Sequence, residues 1–207
     1  MKVLLATHNQ GKIKRYQALF ANLERLELIT LADLEITAKV DEPFATAAEN
    51  SLHKAKYYSQ LAGLATIAID EAVRTNFLPD NEQPGVLVRR FRKNRELTDE
   101  EVLVIWQEIL QAYPQTEHQF IWDFSLSYYD PLSKEAKTAS AVQINTVATN
   151  FSKIINPGYP MSSFLVPVGF NCPYAELNEA EKLLVDQKNL APFVDFITAI
   201  INEKATD

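Results

Sequence analysis

Apolar runs of strand length alternate with segments of helical periodicity along this chain, beginning at its first residues. Residues 2–6 form a short apolar run, residues 7–12 form a polar cluster, and apolar side chains then recur with helical spacing from Ile13 to Phe20. This order predicts a strand, a turn and a helix. We therefore expect an α/β fold in which residues 3–6 lie in the interior of a mixed sheet.

The same kinds of pattern predict the remaining elements. Thr46 precedes Glu49 by three residues, which is the spacing of a capping box at the start of a helix. No repeat or flexible linker divides the chain, so we expect a single domain over residues 1–207. The predicted strands are 27–31, 64–69, 120–129 and 139–147, and the predicted helices are 46–61, 99–113, 178–187 and 192–202.

Composition excludes several classes of protein. With 47% hydrophobic residues the chain can bury a core, yet it contains no apolar run of membrane-spanning length and its start does not resemble a signal peptide. These features predict a soluble cytoplasmic protein without a membrane partner. The formal net charge of −7 argues against binding a nucleic acid polymer. Cys172 is the single cysteine, and zinc-type spacings are missing, so a metal ion would be held by oxygen.

Polar side chains cluster where the first strand gives way to the first helix. Thr7, Asn9 and Lys12 lie at this junction, where free backbone N–H groups and the helix dipole favour an anion such as phosphate. The alternative is that Thr7 and Asn9 only cap the helix and Lys12 is a solvated charge. Both interpretations are compatible with the spacing alone.

Three carboxylates in this half of the chain point to a metal ion. Asp70 is expected at the carboxyl end of an apolar strand, the edge at which α/β sheets bind ligands, and Glu42 and Glu49 lie before and inside the preceding helix. Carboxylates beside a phosphate site are typical of Mg²⁺ binding. The alternative is that they are ordinary partners of a helix dipole.

Several short motifs together resemble the inosine triphosphate pyrophosphatase family. They are Thr7-x-Asn9-x-x-Lys12, Glu42 before Glu49-Asn50, Lys54-Ala55, Ile67 to Asp70, Pro84-Gly85-Val86, Arg90, Phe164-x-Val166-Pro167 and Ala175-Glu176-Leu177 through Glu181-Lys182. The resemblance implies a mixed sheet with flanking helices and two lobes around a central cleft. It also implies a homodimer that hydrolyses deaminated purine nucleoside triphosphates to the monophosphate and pyrophosphate with Mg²⁺.

The resemblance also implies roles for individual residues. Thr7, Asn9 and Lys12 would bind phosphate, Glu42 and Asp70 would handle Mg²⁺ and the attacking water, and Lys182 would contact the nucleotide. Lys12 and Asp70 would be the catalytic residues, because the reaction needs charge neutralisation and a positioned water molecule. Apolar segments such as Phe77-Leu78 and residues 120–129 could supply a dimer surface.

The chain departs from the family at its charged and base-reading positions. Arg15 replaces a glutamate, and the family's paired aspartates become Ile69-Asp70, followed by Glu71. The family's Phe-Gly-Tyr-Asp-Pro motif is replaced by Gly-Tyr-Pro-Met-Ser at residues 158–162. Its Ser-His-Arg motif is replaced by Asp-Gln-Lys at residues 186–188. Without these hydrogen-bonding groups a strong preference for inosine has no basis, although Tyr159 could still stack on a base after a shift of one position.

Three functions remain open from the sequence. The first is a divergent nucleoside triphosphate pyrophosphatase with altered or relaxed base preference. The second is a catalytically inactive relative that binds a nucleotide or a protein partner on the same scaffold. The third is an unrelated interaction module. The retained Lys12, Glu42 and Asp70 favour the first, whereas the lost aspartate and Ser-His-Arg motif favour the second.

Overall fold

A computed structural model describes residues 1–93, 95–114 and 117–205 of the chain. Within these residues the chain forms five α-helices and one six-stranded sheet, which confirms the predicted α/β class. The strands are β1 (Lys2–Leu5), β2 (Glu27–Thr30), β3 (Thr66–Thr75), β4 (Gln119–Tyr129), β5 (Ala136–Val147) and β6 (Leu165–Pro167). The helices are α1 (Gln10–Leu19), α2 (Ala47–Ala62), α3 (Asp99–Ala112), α4 (Glu179–Asn189) and α5 (Ala191–Glu203).

The sheet is mixed, with the strand order β2-β1-β3-β4-β5-β6. β1 pairs in parallel with β2 on one side and with β3 on the other, whereas β5 and β6 are antiparallel. β1 is paired along both of its edges, and its residues 3–5 are fully buried, as the apolar run in the sequence predicts for a strand covered on both faces. The predicted interior position of this strand is confirmed.

Side-chain caps define where the first three helices begin. Asn9 caps α1, Thr46 caps α2, and Thr98 caps α3 in a capping box with Glu101. α2 ends at Gly63, which adopts the left-handed conformation (φ +67°) that glycine accommodates without strain. Each of these contacts lies within four residues along the chain, so the local sequence predicts the helices well.

The prediction that a strand ends at Asp70 is wrong. β3 continues through Asp70 and Glu71 to Thr75, and both carboxylates are buried. The parallel pairing of β1 with β3 reaches Ile67, opposite Leu5, so Asp70 lies beyond the carboxyl end of β1 but in the middle of its own strand. Charged residues normally mark the end of a buried strand, whereas here each is compensated by a lysine, as described below.

The chain divides into two compact units. Unit 1 comprises Met1–Glu71, Asp123–Val142 and Asp186–Asp207. Its apolar core includes Leu4 of β1, Ala68 of β3 and two residues of α2, Ala55 and Tyr58. The expectation of a single domain over residues 1–207 stays a prediction.

Unit 2 comprises Ala72–Trp122 and Gln143–Val185 and is centred on aromatic residues. Trp106 of α3 is buried and lies edge to face with Phe120, with 4.7 Å between ring centres. Phe77 and Leu78 are buried in the same core. Phe77 and Leu78 therefore do not supply the exposed dimer surface that the sequence suggested, whereas the part assigned to residues 120–129, and the homodimer itself, stay predictions. Within the described ranges, none of the helices combines the length and the apolar character that crossing a bilayer requires.

Candidate active site

The start of α1 is organised by the two polar residues predicted to bind phosphate. The backbone N–H of Asn9 donates to Thr7 Oγ1 (3.2 Å), and the backbone N–H of Lys12 donates to Asn9 Oδ1 (3.1 Å). Asn9 Oδ1 therefore caps α1, as the alternative interpretation proposed, whereas Thr7 Oγ1 holds the backbone N–H of the cap residue itself. The positive end of the helix dipole is nevertheless present at this edge of the sheet, directly after β1.

Lys12 is not the solvated charge that the same alternative proposed. Its side chain is 15% exposed, and its Nζ lies 3.2 Å from Oε1 of Glu71 on β3. Glu71 is itself only 9% exposed, and its Oε1 accepts no hydrogen bond from the described residues. The pair is therefore a largely desolvated contact between a cation and an anion with incomplete hydrogen bonding.

Lys54 is a functional candidate to which the sequence analysis assigned no role. It lies on α2, is 8% exposed, and its ammonium donates to Glu42 Oε1 (2.8 Å), to the Ile69 carbonyl (2.8 Å) and to Asp70 Oδ1 (2.9 Å). An ammonium group has three N–H donors, so all of them are used. A lysine on the buried face of a predicted helix, within the Lys54-Ala55 motif, was the signal that could have identified it.

Lys54 brings the two predicted metal-binding carboxylates to one ammonium group. Burial alone would lower the pKa of Lys54, but the carboxylates of Asp70 and Glu42 outweigh burial and raise that pKa above its ordinary value. Burial raises the pKa of Asp70, and the attraction of Lys54 and Lys12 offsets only part of this effect. Asp70 is thus a buried carboxyl group with two cations near it.

Glu42 and Glu49 differ in their surroundings. The Glu42 side chain is 39% exposed, so it contacts Lys54 from the solvent side; Glu42, Lys54 and Asp70, together with Lys12 and Glu71, are called the cluster below. Glu49 is exposed and accepts a hydrogen bond from the Thr46 hydroxyl (2.6 Å), while Thr46 Oγ1 accepts from the Glu49 backbone N–H. Glu49 therefore completes the start of α2, as the alternative of a helix-end partner proposed.

A further buried ion pair lies in unit 1. Arg15 of α1 donates to Asp186 Oδ1 from Nε (2.9 Å) and from Nη2 (2.6 Å), and both side chains are largely buried. The Arg15 guanidinium lies 5.1 Å from the centre of the Phe124 ring. Arg15 and Asp186 are two of the positions at which the chain departs from the family motifs, and here the two departures form one contact.

The structure brings five of the six predicted site residues into unit 1. Thr7, Asn9 and Lys12 form the start of α1, and Glu42 and Asp70 share Lys54. The sixth, Lys182, belongs to unit 2, where its Nζ lies 3.2 Å from Glu179 Oε1 on the same helix.

The positions that would read a base carry few free polar groups. Asp186 forms an ion pair with Arg15, whereas Gln187 and Lys188 are exposed. Met161, which falls where the family has an aspartate, is buried in the core of unit 2. Two of the positions at which the family's Ser-His-Arg and aspartate side chains are replaced therefore have structural roles here: Asp186 forms an ion pair, and Met161 packs in a core.

Whether the cluster suits a metal ion depends on chemistry and on spacing. Its chemistry fits a hard divalent cation, because Glu42, Asp70 and Glu71 offer carboxylate oxygens and Glu71 Oε1 accepts no hydrogen bond from the described residues. Its spacing does not fit such an ion: among the described residues, no three acidic, histidine or cysteine side chains are arranged to hold a metal ion. Lys54 is bound to both Glu42 and Asp70.

Comparison with known proteins places these features in context. The profile of the Ham1 family matches residues 3–192. A dITP/XTP pyrophosphatase of Haemophilus influenzae (strain ATCC 51907 / DSM 11121 / KW20 / Rd) is 28% identical over 198 residues, which cover 90% of this chain and 93% of that protein. A dITP/XTP pyrophosphatase of Polaromonas naphthalenivorans (strain CJ2) is 47% identical over 70 residues, so the match spans only 34% of either chain. The solved structure of a HAM1 protein from Coxiella burnetii superposes with a TM-score of 0.76 at 20% identity and covers 98% of this chain and 99% of that one, which shows the shared fold.

Proposed function

Because the chain belongs to the Ham1 family, we propose that it is a nucleoside triphosphate pyrophosphatase that hydrolyses a nucleoside triphosphate to the monophosphate and pyrophosphate. The observation that carries the proposal is the cluster in unit 1, where Lys12 of α1 and Lys54 of α2 each pair with a buried carboxylate of β3. Relatives named dITP/XTP pyrophosphatases support the same activity.

Phosphate binding would take place at the start of α1. Thr7 and Asn9 hold the first turn in place, so that its N–H groups and the helix dipole face an anion. Lys12 extends from this turn and supplies a full positive charge with restricted access to water. In this proposal Lys12 neutralises negative charge that accumulates on the phosphate chain during the reaction.

Asp70 would handle the attacking water. The water oxygen forms a bond to phosphorus, the link between the α- and β-phosphates breaks, pyrophosphate leaves, and the water proton passes to a carboxylate. Burial raises the pKa of Asp70, which brings its proton affinity closer to that of a useful general base at neutral pH. Lys54 fixes the Asp70 carboxylate by a hydrogen bond of 2.9 Å.

We also propose Mg²⁺ as the cofactor, with Glu42 and Asp70 as the residues that would hold it. Since Lys54 already binds both carboxylates, the ion would have to share them with the ammonium group. A bound Mg²⁺ would supply positive charge to the phosphate chain. Titration calorimetry with Mg²⁺ on the wild type and on Glu42→Gln tests this assignment, because a genuine ligand change weakens binding of the metal alone.

The decisive experiment measures pyrophosphate release from a panel of standard and deaminated nucleoside triphosphates in the presence of Mg²⁺. Asp70→Asn should lower turnover by about 10²-fold or more, because it removes a charged group from the reacting centre with little change in volume. Asp195→Asn, an exposed position on α5, is the matched control and should retain full turnover. Undiminished turnover in Asp70→Asn would show that Asp70 is not the catalytic carboxylate.

A second candidate is a non-catalytic relative that binds a nucleotide or a protein partner on this scaffold. The observation in its favour is that Lys12 and Lys54 are both neutralised by carboxylates of the chain itself. Absence of pyrophosphate release from every nucleotide in the panel, combined with retained nucleotide binding, would favour this candidate over the enzyme.

Four finer features complete the proposal. We propose a relaxed base preference because Asp186 is bound to Arg15 and Met161 is buried, and we propose that Lys182 contacts the nucleotide. A homodimer and a cytoplasmic location follow from the resemblance and the composition. Sedimentation at high protein concentration tests the dimer: a persistent species at the 23.4 kDa of one chain contradicts it.

A further inference from the structure

We propose that a cavity at the amino ends of β1, β2 and β3 is a second binding site, which takes an uncharged, largely apolar organic molecule that carries a hydrogen-bond acceptor such as a carbonyl group. The volume of this cavity is about 770 Å³, within the range of about 300–1,000 Å³ that is usual for ligand pockets. All of its lining residues belong to unit 1. The inference does not depend on the proposed function.

The cavity lies at the opposite end of the strands from the candidate active site. Its lining includes Lys2 and Glu27, the first residues of β1 and β2, and Ala65, which directly precedes β3. Because β1 is parallel to both neighbours, these amino ends share one edge of the sheet, whereas residues 7–12 follow the carboxyl end of β1. The four residues of β1 alone separate the two places by about 13 Å.

The cavity offers more apolar than polar surface to a ligand. Leu26, Leu64 and Ile201 line it from three separate segments of the chain, and Leu132 lines it from the turn after β4. Leu132 is 91% exposed, so its side chain has almost no packing partners in the folded chain. A molecule with an apolar body would remove these side chains from water, which favours its binding.

The charged side chains of the lining carry no net charge. Lys2 Nζ lies 3.9 Å from Glu27 Oε1, and Lys204 Nζ lies 2.9 Å from Asp130 Oδ2. The other charged side chains of the lining, one of each sign and both exposed, are those of Glu24 and Arg25. A balanced set attracts neither anions nor cations strongly, which favours an uncharged ligand.

The charges of the backbone groups at the cavity are balanced as well. The α-amino group of Met1 contributes one positive charge and donates to the carbonyl of Arg25. Two helices end at the cavity, α2 with the cap residue Gly63 and α5 with the cap residue Lys204. The carboxyl end of each helix carries a partial negative charge of about half a unit, so together they offset the amino group.

Tyr128 of β4 supplies a polar group that selects the ligand. Its side chain lines the cavity and is fully buried, and its hydroxyl forms no hydrogen bond with any described residue. Burial, and to a smaller extent the carboxylate of Asp130, raises the pKa of Tyr128 to about 12, so the hydroxyl keeps its proton at neutral pH. An unpaired buried donor is unfavourable, and a ligand that brings an acceptor into the deepest part of the cavity would remove this penalty.

Protein-observed NMR with a matched pair of probes tests this site. Indanone carries a carbonyl oxygen on a small apolar ring system, and indane has the same rings without that oxygen. Each probe is titrated into the wild type and into Tyr128→Phe, and Kd is obtained from the amide shifts of Leu26, Leu64 and Ala65. The quantity compared is the ratio of the Kd for indane to the Kd for indanone, because this ratio isolates the carbonyl group from apolar burial.

We expect Tyr128→Phe to lower this ratio about fivefold, the factor for one hydrogen bond between uncharged groups. An unchanged ratio overturns the inference. It is also overturned if neither probe binds the wild type up to its limit of solubility, or if the amide shifts are confined to residues outside the lining. Pyrophosphate release enters none of these measurements, so the proposed function is tested separately.

A second variant keeps the inference testable if Tyr128→Phe does not fold. Leu132→Ser removes apolar surface from the cavity without opening a core, because Leu132 is almost fully exposed. It should weaken binding of both probes about threefold, through the lost burial of part of one leucine side chain, and leave the ratio unchanged. Leu184→Ser, the same substitution at an exposed position of α4 outside the lining, should match the wild type. Equal affinities in the two serine variants would contradict binding in this cavity.

Discussion

Replacement of Lys54 by methionine would remove the ammonium group that connects three acceptors in unit 1. Lys54 is 8% exposed and donates to Glu42, Asp70 and the carbonyl of Ile69 at 2.8–2.9 Å. Methionine fills a similar volume with an unbranched apolar side chain, so the change tests charge and hydrogen bonding more than packing. The carboxylate most affected is Asp70, because Glu42 is 39% exposed and can be solvated by water.

The expected loss of stability follows from what remains around Asp70. Breaking one side of a buried ion pair costs about 3–5 kcal/mol, because the remaining charge is uncompensated. Lys12 still attracts Asp70, so we expect the lower part of this range, about 3 kcal/mol in the free energy of unfolding at pH 7.5. For a chain of about 200 residues this corresponds to a decrease of about 6–12 °C in Tm.

The pH dependence gives the sign of the effect. The pKa of Asp70 is raised by burial in the folded protein, and loss of Lys54 should raise it further. A carboxyl group whose pKa is higher in the folded state than in the unfolded state destabilises the protein as pH rises through that window. The stability difference between wild type and Lys54→Met should therefore shrink as the pH is lowered from 7.5 and Asp70 becomes protonated.

Urea unfolding of four proteins measures these effects. They are the wild type, Lys54→Met, Lys54→Met with Asp70→Asn, and the control Lys188→Met, whose position in the last turn of α4 is exposed. Asp70→Asn should recover most of the loss caused by Lys54→Met, because the buried charge is then absent. A stability loss below about 1 kcal/mol for Lys54→Met, or a loss that does not shrink as the pH is lowered from 7.5, would refute the assignment of Asp70 as a buried charge held by Lys54.

Three further predictions concern other parts of the molecule. Arg15→Met should lower the free energy of unfolding by about 3 kcal/mol because Asp186 stays buried without its partner, and a double variant with Asp186→Asn should recover part of it in urea unfolding. Burial alone would raise the pKa of Asp130, but a hydrogen bond from Lys204 holds it below the ordinary value. The stabilisation from this pair is thus present above the unfolded-state pKa of about 3.9 and lost as pH falls through the lower folded-state value, so Lys204→Met and the wild type should converge in stability under acid. Finally, kcat/KM for ITP and ATP should differ by no more than about 10–200-fold, and a preference above about a thousandfold would require a polar base-reading site.

The predicted helices and the central strand depended on information close together in the chain. Asn9 caps α1 by accepting from Lys12, and Thr46 caps α2 by accepting from Glu49, in both cases over three residues. Such contacts can be predicted from spacing because helical geometry places these groups together. The apolar run in β1 likewise predicts burial on both faces.

The charged residues of β3 show where local patterns are insufficient. A polar pair after an apolar run normally indicates the end of a strand, yet Asp70 and Glu71 stay within β3 and are buried. Burial of these carboxylates requires cations, and Lys54 and Lys12 lie 16 and 59 positions away along the chain, counted as 70 − 54 and 71 − 12. The sequence shows Glu71 directly after Asp70, but no local pattern identifies Lys12 as its partner.

By itself, the sequence determined the α/β class, the starts of the first three helices and the polar cap of α1, because these depend on periodicity and on hydrogen bonds between near neighbours. Only the tertiary structure decided which charges meet. Arg15 and Asp186 are separated by 171 positions, and Lys54 is joined to Glu42 and Asp70 from different segments. The energy of a buried charge depends on its distance from the opposite charge and on how far water is excluded from it, and both are set only when the chain has folded.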